Sequence, residues 1–176
     1  MHDTHEFHTK LDDCCLINGL NDHELEALLK RVSLVEFSEG ESIIEEGSES
    51  HEIWILLSGR CEVLKAGAKG ENRLATIEAG NIFGEMSFFD NSTHSATVKA
   101  IEDVKTLKLT NEAFFLLREE DHMASDKIAC NVINILSERL RKMDDWTSKL
   151  VDTDCNQKKH DEWYEFRSKL YTNLYD

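Results

Sequence analysis

Cysteine and histidine are the residue types here with the widest chemistry, yet their spacing favours neither a metal nor a redox site. The five cysteines are Cys14, Cys15, Cys61, Cys130 and Cys155. An odd number without CxxC spacing predicts neither a disulfide framework nor a zinc site. His2, His5 and His8 recur at every third position, but a polar chain terminus explains them better than a metal site. We predict no metal site, and thiols that fit a reducing cytoplasm.

Enzyme motifs are absent from the sequence. It contains no GxSxG, no P-loop, no HExxH and no deaminase signature. Glu85 has the chemistry of a catalytic acid, but no nucleophile and base stand at a recognisable spacing around it. We therefore expect a regulatory or binding module and not an enzyme.

The charge of the chain excludes another class. The formal net charge is -15 over 176 residues, so most of the surface would repel a phosphate backbone. No apolar run is long enough to cross a bilayer. We expect one domain with an appended element, no direct nucleic-acid binding and no membrane contact.

The elements that position the remaining polar residues are mainly short strands. From about residue 33 to 109, runs rich in Val, Ile, Leu and Phe alternate with Gly, Ser, Asn and Glu clusters. Such regular spacing predicts an all-β sandwich or barrel. Before it, Asn21 and Glu24 form the signature of a capping box that starts a helix of about ten residues.

After residue 109 the pattern becomes helical. Thr110 or Asn111 can cap a short helix, and a long helix runs from about 122 to 152. Its apolar seam steps by alternating four and three residues, through Ala129, Ile133, Leu136, Leu140, Met143, Thr147 and Leu150. This is the spacing of a coiled coil, so we predict a parallel homodimer through residues 129–150.

Residues 156–176 form a separate amphipathic segment. Trp163, Phe166, Leu170 and Leu174 recur at helical spacing. A short C-terminal helix that docks on its own domain or dimer mate is favoured over a tail that binds a partner. The predicted organisation is thus a domain over 1–155 and a tail over 156–176.

A series of glycines and apolar residues resembles the cyclic-nucleotide-binding domain family, in particular the sensor domain of the catabolite activator protein type. The series reads GESII from Gly40, then Gly47, IWIL from Ile53, SGR from Ser58, Gly80, and FGE from Phe83. It covers roughly residues 15–150. The resemblance implies a jelly-roll β-barrel with flanking helices and a long dimerisation helix.

The resemblance also implies a phosphate cassette over residues 83–98. In members that bind cyclic AMP or cyclic GMP, the position of Glu85 accepts a ribose hydroxyl, and backbone amides after Gly84 meet the phosphate. A helix that begins at such a glycine directs unpaired N–H groups at an anion. The ligand-binding residues implied are Phe83, Gly84, Glu85, Met86, Ser87, His94, Ser95 and Ala96.

His94 departs from the family pattern. Binding members have an arginine there, whose planar, charged guanidinium donates two hydrogen bonds to the phosphate. Histidine is mostly neutral at pH 7 and lacks that charge. Losing one charge-assisted hydrogen bond would weaken binding by about tenfold to a hundredfold. On the long helix, Thr147 and Ser148 fall where the activator type contacts adenine across the dimer, although a threonine in the seam could equally fix its register.

Two functions remain open. One is a dimeric sensor of a cyclic nucleotide, cyclic AMP or cyclic GMP, or another small anion, with the long helix carrying the signal. The other is a degenerate roll without a ligand that acts as a dimerisation or protein-interaction module. Family regulators continue into a winged helix-turn-helix, while few residues follow the long helix here, so we expect a sensor acting on a partner protein in trans.

Overall fold

The computed structural model describes Leu11 and residues 14–68, 70–153, 161–163 and 165–166. Within these residues the strands are β1 (Ser33–Phe37), β2 (Ser42–Ile44), β3 (Glu52–Ser58), β4 (Arg60–Gly67), β5 (Gly70–Glu78), β6 (Ile82–Phe83), β7 (Thr97–Ala100) and β8 (Val104–Thr110). The helices are α1 (Asp22–Leu29), α2 (Glu85–Asp90), α3 (Asn111–Glu120) and α4 (His122–Thr153). The strand region therefore runs from Ser33 to Thr110, which agrees with the predicted range of about 33–109 to within one residue.

The strands form two antiparallel sheets of four. One has the order β1-β8-β3-β6 and the other β2-β7-β4-β5. This arrangement confirms the predicted jelly roll with flanking helices. The prediction that the roll closes into a barrel was wrong, because among the described residues no strand of one sheet pairs with a strand of the other. Two of the four edge strands, β6 and β2, are only two and three residues long, which leaves few N–H and C=O groups that could join the sheets.

The core lies between the two sheets. Its buried members come from both, and they are Ile44, Trp54, Leu56, Cys61, Phe83, Val98, Ala100 and Val104. Strand β3 is buried along five consecutive residues, Ile53 to Leu57. A strand buried on both faces reads as a continuous apolar run, which is why IWILL shows no alternation in the sequence.

Helix α1 is tied to the start of α4 by a buried ion pair. The Glu24 side chain is 5% exposed, and the Lys127 ammonium lies 2.8 and 2.6 Å from its two carboxylate oxygens. Glu24 also accepts from the backbone N–H of Asn21, whose side chain accepts from Glu24, so the predicted capping box is confirmed. The hydrogen bond from Lys127 is the main reason that the pKa of Glu24 lies below its ordinary value.

The helices after β8 follow the predicted pattern. The Thr110 hydroxyl caps α3 by accepting from the N–H of Ala113 at 3.2 Å. Helix α4 is 32 residues long. No helix among the described residues is long and apolar enough to span a membrane.

The chain divides into two compact units, Met1–Val132 and Ile133–Asp176. In the second, the predicted seam of α4 is largely exposed at Ile133, Leu140, Met143 and Leu150. Of the predicted tail helix, only residues 161–163, 165 and 166 are described, and all are helical. The rings of Trp163 and Phe166 stack there with their centroids 5.9 Å apart. The division between a domain over 1–155 and a tail stays a prediction.

Candidate functional site

The site begins where β6 ends and α2 starts. Phe83 pairs with Trp54 of β3 and stacks on its ring, and Gly84 follows as the residue that caps α2. Gly84 has a φ of +83°, and a Cβ on it would lie 2.4 Å from the carbonyl oxygen of Glu52. Glycine is therefore required here twice, by the left-handed backbone and by the close approach of β3.

We expect Gly84→Ala to destabilise the fold more than Gly40→Ala. Gly40 has a similar φ of +88° but nothing within 4 Å of its Cβ position. Gly40→Ala should cost about 1–2 kcal/mol for the left-handed backbone, and Gly84→Ala should cost about 1–3 kcal/mol more, because the added methyl overpacks. Chemical denaturation measures both, and equal losses would show that the close approach to Glu52 does not matter.

The first turn of α2 carries two buried polar residues. Glu85 is 4% exposed and Ser87 is 2% exposed. The Ser87 hydroxyl donates to the carbonyl of Gly84 at 3.2 Å, and the N–H of Phe88 closes the turn on the same carbonyl. Met86 points outward and is exposed, so it can contribute to a site only through its backbone.

His94 lies beside this turn and is buried between two serines. Its Nδ1 is 3.0 Å from the Ser87 hydroxyl and its Nε2 is 3.0 Å from the Ser50 hydroxyl. Because Ser87 donates to Gly84, we assign Nδ1–H as a donor to Ser87 and Nε2 as the acceptor from Ser50. One neutral tautomer therefore satisfies both nitrogens.

The pKa of His94 lies below its ordinary value because burial disfavours the charged ring. The carboxylates of Glu52 and Glu85 and the backbone of Ser50 act in the opposite direction, but burial outweighs them. His94 is thus neutral at pH 7. It does not supply the positive charge that an arginine would bring to this position.

This burial predicts a pH dependence of stability. As the pH falls below the ordinary histidine pKa of 6.5, the unfolded ring takes up a proton before the folded one does, so stability drops. When the pH is lowered from about 7.5 to 5.5, we expect the melting temperature of the wild type to fall more steeply than that of His94→Gln. This range lies above the titration of carboxylates. Parallel slopes in the two proteins would contradict a neutral, buried His94.

The loop around His94 is fixed by backbone bonds. The N–H of Gly47 donates to the His94 carbonyl at 2.8 Å, and the His94 N–H donates to Ser48 at 2.9 Å. Ser95 is exposed and Ala96 is half-buried. The structure thus brings His94 against Ser87 of the first turn of α2, and the role of residues 83–87 and 94–96 as a ligand site stays a prediction.

Three further residues at this place escaped the sequence analysis. Ser50 bonds to His94 across 44 positions, and the Lys65 ammonium donates to the carbonyl of Ser95. Lys65 also pairs with Glu46, with 2.7 Å between Nζ and Oε1. No motif spacing marks these contacts, because they depend on how β2, β4 and β7 lie in one sheet.

Thr147 and Ser148 lie in the second unit and are half-buried. The Thr147 hydroxyl donates to the carbonyl of Met143 at 2.5 Å, four residues back in the same helix. This bond occupies the hydroxyl proton and leaves its lone pairs available. The contact to a ligand stays a prediction for both residues.

A serine beside a histidine is also the pair that hydrolases use as nucleophile and base. Here Ser87 is only 2% exposed, so its hydroxyl is not accessible to a substrate as a nucleophile must be. No group of three or more metal-ligating side chains occurs among the described residues either.

Comparisons with known proteins agree with this geometry. A family model described as the cyclic nucleotide-binding domain matches residues 34–121. Human cGMP-dependent protein kinase 2 is 32% identical over 116 residues, which cover 66% of this chain and 15% of the kinase. Among solved structures, the Thermus thermophilus catabolite activator protein superposes with a TM-score of 0.69 at 28% identity, covering 77% of this chain and 62% of that one.

A second solved structure, that of a regulatory subunit, is also similar to this chain. The regulatory subunit of a cAMP-independent protein kinase A from Trypanosoma brucei superposes with a TM-score of 0.63 at 26% identity. The match covers 82% of this chain and 50% of that one. The chain therefore spans only part of each of these three relatives.

Proposed function

The chain belongs to the cyclic nucleotide-binding domain family, and from this premise we propose that it is a non-enzymatic regulatory sensor with its ligand site at residues 83–87 and 94–96. The observation that carries the proposal is the start of α2. There Gly84 holds a left-handed backbone against β3, and Glu85 is 4% exposed in the first turn. This is the backbone that the family uses to hold a cyclic phosphate and a ribose.

Cyclic AMP or cyclic GMP is the proposed ligand. Glu85 accepts a ribose hydroxyl, and the amides after Gly84 bond to the phosphate. His94 stands where binding members have arginine, so one charge-assisted contact is missing. We expect affinity about tenfold to a hundredfold weaker than an arginine-bearing site would have.

The alternative is a roll without a ligand, which acts as an interaction module. It is favoured by His94, whose two ring nitrogens already have serine partners. The regulatory subunit of a cAMP-independent protein kinase A from Trypanosoma brucei shares this fold. The two proposals differ in one observable, the response of the first turn of α2 to a nucleotide.

A two-dimensional ¹H–¹⁵N spectrum recorded during a titration with cyclic AMP measures that response. We expect the amide signals of Gly84 to Ser87 to shift in a saturable way, while those of a remote turn, such as Gly19, stay in place. Cyclic GMP, tested in parallel, shows which base is preferred. Unchanged cassette signals with both nucleotides would favour the interaction module.

We also propose that residues 129–150 form a homodimer and that a protein partner in trans reads its state. The exposed apolar side chains of α4 support this, among them Leu140 at 59% and Trp146 at 62% exposure. Among the described residues, Cys14, Cys15, Cys61 and Cys130 form no disulfide, which fits a reducing compartment such as the cytoplasm.

Leu140→Glu is expected to convert this dimer to a monomer, because it places a charge in the apolar seam. Lys142→Glu, on the outward side of the same helix turn, should leave the mass unchanged. Light scattering of the eluting protein at micromolar concentration measures both. A wild-type monomer, or a dimer that survives Leu140→Glu, would contradict the dimer helix.

A further inference from the structure

A ligand with a phosphate needs a positive charge that His94 does not supply. The ring is buried and neutral, and of the side chains whose charges act on it, Glu52 and Glu85 are carboxylates and His51 is a second histidine. An anion bound beside these carboxylates would be repelled unless another cation lies within reach. The contacts of the cassette identify such a cation.

We propose that Lys65 provides the positive charge for the anionic group of the ligand and that Glu46 competes with the ligand for it. This inference rests on the proposed function of the same site. Lys65 thereby determines whether the site takes a charged or an uncharged ligand. The predicted ligand class is a nucleotide with an anionic phosphate and not an uncharged nucleoside.

The position of Lys65 supports this role. It lies on β4 two residues after Val63 and four after Cys61, so all three share a face. The ladder between β4 and β7 is regular from Cys61 to Leu64. The ladder between β4 and β5 shifts register between Val63 and Leu64, but the extra residue there, Leu74, lies on β5 and not on β4. Cys61 and Val63 pack into the core between the sheets, and the ammonium of Lys65 reaches the backbone of Ser95, next to His94.

Glu46 is built to hold this ammonium. Its carboxylate lies 2.7 Å from Lys65 Nζ and accepts from the N–H of Ala66 at 2.8 Å. Its own N–H donates to the Thr97 hydroxyl at 3.0 Å. The pKa of Glu46 lies below its ordinary value, mainly because its carboxylate accepts a hydrogen bond from the N–H of Ala66 and secondly because it accepts one from Lys65. The carboxylate therefore stays charged.

The pair is accessible to a ligand. The side chain of Lys65 is 43% exposed and that of Glu46 is 27% exposed. A phosphate that approaches Ser95 can therefore share the ammonium with Glu46 or take it over. The ammonium has three donors, of which the Ser95 carbonyl and the Glu46 carboxylate use two. A phosphate that contacts the third must still offset the negative charge of Glu46, which is the sense in which Glu46 competes with it.

Calorimetric titrations with cyclic AMP and with adenosine test the inference. Lys65→Met should weaken cyclic AMP binding by about tenfold and leave adenosine binding unchanged. Glu46→Gln should tighten cyclic AMP binding severalfold, because the ammonium loses its competitor. Lys105→Met is the matched control, since Lys105 forms an ion pair of 2.8 Å with Glu36 on the other sheet, and it should change neither affinity.

The same variants are also measured in a His94→Arg background, where binding is expected to be tighter. If cyclic AMP binds and Lys65→Met has no effect in either background, the role of Lys65 is overturned while the proposed function stands. If cyclic AMP binds in neither background, both fail. Lys65→Gln serves as a second variant, and the melting temperature of each protein shows that it is folded.

Discussion

His94→Arg is expected to tighten the binding of cyclic AMP by about tenfold to a hundredfold. Arginine carries a permanent charge and a planar fork that bonds a phosphate through two N–H groups. The wild-type ring is neutral, and its two nitrogens form hydrogen bonds with the hydroxyls of Ser87 and Ser50. The gain follows from adding a charge and a bidentate contact where the native side chain offers neither.

Two controls make this result specific. Adenosine has no phosphate, so its affinity should not change in His94→Arg. His94→Lys restores the charge without the fork and should give a smaller gain. Equal gains for adenosine and cyclic AMP, or no gain for either, would show that position 94 does not face the phosphate.

Glu85→Gln is expected to weaken cyclic AMP binding by about tenfold to a hundredfold, because a charged acceptor for the ribose hydroxyl becomes a neutral one. Glutamine has nearly the size of the native side chain, which matters because Glu85 is 4% exposed. Calorimetry gives the affinity. The melting temperature shows whether the variant remains folded.

A double-mutant cycle, with one change in the protein and the other in the ligand, identifies the ribose hydroxyl that Glu85 binds. The 2′-deoxy analogue of cyclic AMP lacks the group that Glu85 is proposed to bind, so wild-type protein should bind it more weakly than cyclic AMP. In Glu85→Gln the two ligands should differ little, since the partner has already been removed. Additive losses would mean that Glu85 acts on the fold of the turn and not on the ribose.

Most of the fold could be predicted from the sequence because local signals define it. The observed strand region agrees with the predicted one because glycines mark the turns. The capping box formed by Asn21 and Glu24 begins α1, as the spacing of these two residues indicates. Thr110 caps α3, and α4 begins at His122, where the sequence predicts it. Each of these signals lies within a few residues of the feature it predicts.

The open edges of the two sheets could not be predicted. Whether a sheet closes depends on which edge strands pair, and that is decided by strand length and by partners distant in sequence. The pairing of Lys127 with Glu24, 103 positions apart, was missed for the same reason.

The candidate site shows the same limit. The series from Phe83 to Ser87 is contiguous, so its resemblance to a family could be recognised. Ser50 and Lys65 reach the site through tertiary contacts, and neither residue belongs to a motif. The neutral state of His94 follows from its burial, which the sequence does not show.

Calorimetric titration of the wild-type protein with cyclic AMP shows whether the chain senses a nucleotide. We expect a saturable one-site isotherm in the micromolar range or weaker, since the backbone of the first turn and Glu85 remain while the arginine is absent. Such an isotherm, tightened by His94→Arg, would establish a nucleotide sensor with a modified phosphate contact. No binding heat from cyclic AMP or cyclic GMP at millimolar concentration, in the wild type and in His94→Arg alike, would contradict it and leave the interaction module.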